Sequence, residues 1–206
     1  MMLRAAGTLY QGWDESTAAA IRERDEAVRK THFSLKLFLA RLIRGALDED
    51  QSGRAMALAT SAANLEAASD AIARTLVELA HRLHAEGVSF SRQGAEEIAE
   101  FHDRVLANVQ LALDVMMTQD PDAARELVAA KDRVRALEQH LQRQHLGRLR
   151  EGLAESIETS NIHQETLRAL KQVNAAFSMV GYPILSETGD LLSSRLSRHP
   201  PKDQGA

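Results

Sequence analysis

From Leu58 to Leu83 the positions Leu58, Ala62, Leu65, Ser69, Ile72, Leu76, Leu79 and Leu83 alternate steps of four and three without a slip. Only a helix returns to one face at that spacing, so the pattern predicts a long helix ending near Glu86. An apolar stripe of that length cannot stay in water, and the elements able to cover it are other helices. Composition agrees: aromatics are only 4%, and all four prolines stand at or after Pro121. Together with abundant Ala and Leu, this predicts an all-α chain. The 206 residues, 44% of them hydrophobic, suffice for a substantial core.

The remaining elements follow from the same reading. A stripe of Ile21, Asp25, Val28, His32, Leu35, Leu39, Leu42 and Ala46 predicts a helix over about 15–45, with two polar residues inside its apolar face. LDEDQSG at 47–53 reads as a loop. Gly87 is a C-terminal stop, and Ser89 or Ser91 caps a helix carrying Ile98, Phe101, Val105, Ala112 and Met116. Asp120-Pro121 opens another that runs to near Leu149, proline being tolerated at the first helical position. Glu151–Thr159 reads as a linker. The next helix is capped by Ser160 or Asn161, with Gln164 completing a capping box, carries Ile162, Thr166, Leu170, Val173, Phe177 and Val180, and stops at Gly181 and Pro183. Five long antiparallel helices in short-looped series make one helix bundle or two stacked ones.

Several functional classes are excluded. With no cysteine there is no disulfide, thiolate nucleophile or Cys-bound zinc. The net charge of −4 comes from 25 basic and 29 acidic residues spread along the chain, so nucleic acid is an unsuitable partner. No apolar run reaches the roughly 20 residues of a bilayer span, and MMLRAAGTLY lacks the apolar block of a secretory signal. The chain reads as soluble by itself. Glycine-rich phosphate loops and nucleophile elbows are absent, so the chain is read as no enzyme.

Against that background a few polar residues stand out. Glu66 and Asp70, at i and i+4, share one helix face, and Asp25 in the preceding helix is placed to meet them. Three converging carboxylates suit a cation with oxygen ligands; the plainer reading is a solvated acidic edge with Asp25 held by Arg29. Glu78-x-x-His81 lacks the second Glu-x-x-His of a carboxylate di-iron site. His32 reads as a hydrogen-bonded core histidine, and His140, His145 and His163 show no partner spacing. Tyr10 and Trp13 read as unusual apolar exposures.

Four pieces in order, RERDEAVRKTHFSLKLFLARL, SAANLEAASDAIARTLVELA, EFHDRVLANVQLALDVMMTQDP and SIETSNIHQETLRALKQVNAAFSMVGYPIL, give the chain a resemblance to the PhoU-like C-terminal domain of bacterial sodium/phosphate cotransporter family proteins. The resemblance covers roughly Trp13 to Leu185, and the serine/threonine-rich start and Tyr-Pro end of the last piece are its most specific part. It implies tandem three-helix bundles: an incomplete first over 1–90, whose first helix is truncated, a second over 91–186, and a short terminal helix with a disordered tail over 187–206. It also implies a cytoplasmic regulatory and docking module of phosphate transport, acting by protein–protein interaction. Its partner would be a phosphate transporter's membrane domain, which would hold it at the inner membrane face, or a signalling protein.

PhoU proteins bind metal clusters through acids to which Asp25, Glu66 and Asp70 correspond. The next acid of the paired helix is replaced by Arg29, and in the second bundle Lys171 and Ala175 stand where acids would. The resemblance therefore implies at most a degraded site for a divalent or iron-type cation, in the first bundle only. MMLRAAGTLYQGW reads as the end of a helix whose beginning is missing, which leaves an apolar seam for a homodimer or another chain to cover. Two rival readings are a metal-binding bundle using those three acids, and a detached domain that merely folds.

Overall fold

A computed structural model describes residues 2–45 and 47–188. Among these there are helices and no strands: α1 (Met2–Leu9), α2 (Glu15–Ile43), α3 (Glu49–Asp70), a π-helical segment (Ala71–Leu76), α4 (Val77–Ala85), α5 (Arg92–Thr118), α6 (Pro121–Arg150), α7 (Ala154–Glu158), α8 (Ser160–Ser178) and α9 (Gly181–Glu187). The five long helices of the sequence reading are all present, and α3, the π segment and α4 run on as one of them. The terminal helix and tail expected over 187–206 lie, beyond Thr188, outside the described residues.

The ends of these helices show which local signals decide. Asp14 caps α2 by accepting from the backbone N–H of Ser16 and Thr17. Asp48 and Gln51 form a full capping box, so α3 starts at Glu49 and only Leu47 and Asp48 of the expected 47–53 loop stay outside a helix. Gly53 is accordingly helical. Gly87 does take the left-handed conformation, at φ 67°, and Ser91 Oγ accepts from Gly94 N at 3.2 Å to cap α5. Asp120 and Pro121 open α6 as expected.

Two expectations at α8 are corrected. The linker before it holds the short helix α7, and Thr159, whose hydroxyl donates to Glu155 O at 2.6 Å, is its N-cap without a side-chain cap. Pro183 does not end the helical path. It falls in the first turn of α9, where an N–H would have no intrahelical partner, so Tyr182 stays helical. Gly181 packs closely there: a Cβ would sit 3.1 Å from Ala124 O.

Helix α8 holds the molecule together. It packs on α5 and α6 on one side and on α3 and the π segment on the other. The main core accordingly takes Leu3, Leu9 and Ile21 from the first elements, Ile72 and Leu76 from the π segment, and Phe101, Val105, Leu167 and Leu170 from the later helices. A second cluster, in which Val115, Leu127, Ile184 and Leu185 meet, lies where α9 packs on α6 and α5. The stripe from Leu58 to Leu83 is only partly enclosed. Ser69, Ile72, Leu76, Leu79 and Leu83 are buried, Leu65 is half-buried, and Leu58 is 49% exposed. Tyr10 and Trp13, expected as exposures, are packed: Tyr10 OH shares a 3.1 Å hydrogen bond with Thr166 Oγ1, and Trp13 meets the His81 ring edge-on at 4.8 Å.

Candidate functional site

Helix α2 carries Asp25 into the interior, where it is 2% exposed. Both of its oxygens are used: Ser69 Oγ donates to one at 2.8 Å, and Arg29, one turn on, lies 3.1 Å from the other. Asp70 pairs with Arg74 at 2.7 Å, and Glu66 is half-buried. A groove of about 360 Å³ beside the π segment is lined by Arg22, Asp25, Arg29, Ala73, Arg74 and Glu78. Its three guanidiniums supply the positive charge that a cation would otherwise bring. Among the described residues no three carboxylates or imidazoles are grouped as a ligand set, and Asp25, Glu66 and Asp70 as placed do not form one.

In the second half Glu138 of α6 is also buried, and accepts from Lys171 Nζ of α8 at 2.7 Å and from Gln142 at 2.9 Å. Lys171, which stands where the resemblance to PhoU places an acid, is the internal counter-ion of another helix's acid. Beside this pair, Asn108 Nδ2 donates to Asn174 Oδ1 at 2.8 Å across α5 and α8. Each half thus carries a buried carboxylate neutralised from within the chain, which satisfies its lone pairs and limits its desolvation cost.

The densest polar cluster unites residues that spacing did not connect. Arg148 of α6 grips Glu97 of α5 with both terminal nitrogens, one to each carboxylate oxygen; the Nη2–Oε2 distance is 2.7 Å. His145 and His163 stack at 4.6 Å, with ring planes 10° apart. His163 Nε2 lies 3.4 Å from Glu97 Oε2, and neither of its ring nitrogens makes a hydrogen bond. All four side chains are buried.

The contacts of His145 fix its proton. Arg148 Nη2 has only hydrogens to offer, so Nδ1, at 3.5 Å, accepts, and the proton is on Nε2, which donates to Ser160 Oγ at 2.9 Å. Burial, with the charges of His163 and Arg148 beside it, lowers the His145 pKa from 6.5 to about 4. Burial pushes the Glu97 carboxyl up, but His163 and Arg148 together outweigh it and hold it below its ordinary value. Ser160, expected as a cap, is instead this imidazole's partner. The cluster clamps α5, α6 and α8 together, and every hydrogen-bonded partner in it is internal.

A cleft of about 540 Å³ lies between α1, α5 and α8. Gly7, Tyr10, Phe90, His102, Leu106 and Thr166 are among its lining residues. Two of its polar side chains are partnered within the fold: Tyr10 with Thr166, and His102 Nε2 with Leu3 O at 3.0 Å. Burial pushes the Tyr10 phenol well above its ordinary value, so it stays protonated. The cleft has no activated nucleophile and suits an apolar side chain.

Residues 98–174, which span most of α5, all of α6 and α7, and most of α8, match the PhoU domain. The chain's sequence relatives include YjbB of Salmonella typhimurium, a candidate inorganic phosphate export protein, at 34% identity over 82% of this chain. YjbB of Escherichia coli K12 matches at 31% identity over 81%. The chain spans about a third of the length of these relatives, 31% in each case. The PhoU fold extends well beyond 98–174. The structure of PhoU from Pseudomonas aeruginosa superposes with a TM-score of 0.82, covering 92% of this chain and 90% of that one, at 18% identity. PhoU from Streptococcus pneumoniae, a phosphate transport system regulatory protein, gives 0.74 over 94% and 91%, at 16% identity. At such identities the likeness is one of fold. No described helix is long and apolar enough to cross a membrane.

Proposed function

We propose that this PhoU-like chain is a regulatory and docking module of phosphate transport, which acts by binding another protein and not by chemistry. The observation that carries the reading is the PhoU domain match over 98–174 in a chain whose relatives include candidate phosphate export proteins. The geometry supports it in a second way. The buried ionisable groups at Asp25, Glu97 and Glu138 are all engaged by internal arginine or lysine, which makes the interior a rigid frame and leaves surfaces and the α1/α5/α8 cleft to receive a partner. The partner is a phosphate transporter's membrane domain at the inner face of the membrane, or a signalling protein that reports on it.

The test is phosphate flux, in both directions, in cells lacking this chain and in cells where it is restored, at high and low external phosphate. Flux or its repression should change on deletion and return with the restored gene. Unchanged flux at both concentrations would leave the likeness to PhoU as one of fold. Capture of a phosphate transport component by the tagged chain would then separate a docking role from a purely structural one.

A further inference from the structure

The outer side of α2 carries a pattern that the bundle does not use. Leu39 is buried at 4% exposure while Leu37, two residues earlier, is 45% exposed. Two residues turn an α-helix by about 200°, so Leu37 lies on the side away from the packed one. Steps of three and four from Leu37 reach Phe33 and Lys30 in one direction and Arg41 and Arg44 in the other, all exposed, Phe33 at 62%. Phe38, 59% exposed, flanks this stripe. From Ala27 to Leu47 the chain has five Lys or Arg and no Asp or Glu, although its overall charge is −4. Lys36, Arg41 and Arg44 pair with no acid among the described residues, and Lys30 stands 3.8 Å from exposed Glu26.

We propose that this face of α2 binds the surface of an anionic lipid bilayer. Phe33, Leu37 and Phe38 enter the boundary between headgroups and acyl chains, while Lys30, Arg41 and Arg44 extend along them to the lipid phosphates. Position and charge select this occupant. A third helix seated in the α2–α3 bundle would cover the side of Leu39, which is the opposite one. A second copy would bring the same unpaired cations face to face. The acids Asp48, Glu49 and Asp50 sit at the hairpin turn, beyond the stripe, so α2 lies flat on the membrane and does not enter tip first. The proposal stands independently of the phosphate-transport reading.

The experiment is co-sedimentation of the full chain with vesicles of mixed phosphatidylglycerol and phosphatidylcholine, and with vesicles of phosphatidylcholine alone. Binding should require the anionic lipid and fall as salt rises. R41Q/R44Q should weaken it roughly thirtyfold at low salt, and F33S/L37S about tenfold or more. These are exposed positions, so circular dichroism should show unchanged helicity in both variants. Equal binding to both vesicle types, no binding, or variants that bind like the parent would overturn the proposal. So would sedimentation velocity without lipid that showed a dimer dissolved by F33S/L37S, which would assign the face to self-association.

Discussion

Arg148 and Glu97 meet with almost no water around them, and the consequence is an asymmetry between breaking the pair and replacing it. Arg148→Met leaves a buried carboxylate uncompensated and should cost about 3–5 kcal/mol in urea unfolding. The double variant E97Q/R148M, which removes the charge as well, should recover most of that. Equal losses in both would show that the pair matters through packing alone. His145 adds a pH dependence of definite sign. Its folded pKa of about 4 lies below the ordinary 6.5, so between those values the unfolded chain takes up a proton that the folded chain does not. Stability should therefore fall as pH drops from about 6.5 to about 4, by on the order of 3 kcal/mol. Glu97, lowered below its ordinary range, adds loss in the same direction at still lower pH. His145→Gln should flatten the slope in the His145 window, and thermal unfolding from pH 7 to 4 would show it. A slope unchanged by the substitution would place the titration elsewhere.

The long helices α2, α3, α5 and α6 begin where a side chain satisfies the first free N–H groups, and the strongest case is the Asp48–Gln51 box of α3. Asp48→Ala should cost about 1 kcal/mol. The loss should appear as faster hydrogen exchange in the first turns of α3 and not in α5 or α8; a uniform loss would contradict a local cap. Caps of this kind are legible in sequence, as Asp120-Pro121 and Ser91 also show. The π segment is not. The apolar stripe passes through Ala71–Leu76 without a slip, and burial of Ala71, Ala73 and Val77 beside it reflects packing of the segment among α1, α2 and α8. At α9 a local rule was misleading, because proline disrupts a helix interior but not its first turn.

Across the whole molecule stability should be uneven. The main core joins α1, the π segment, α5 and α8, whereas the far half of the α2–α3 hairpin has Phe38, Ile43, Met56 and Leu58 in water. Backbone amides over 33–58 should exchange through local opening well before those of 98–112, and equal protection would show the hairpin to be part of the same cooperative unit. The sequence alone determined the five long helices, most of their ends, the all-α class and the likeness to PhoU, because periodicity, caps and the order of matching pieces are local properties of the chain. It also put Arg29 beside Asp25, a pair one helical turn apart. Only the tertiary structure decided which stretches of each stripe are covered, since a period names the apolar face but not whether a partner lies against it. Only the tertiary structure, too, brought Glu97, His145, Arg148 and His163 together: Glu97 is 51 residues from Arg148, and no spacing rule reaches across separate helices. The same packing left Phe33 and Leu37 outside, because α2 can turn one side to the bundle and must turn the other to solvent or to a surface.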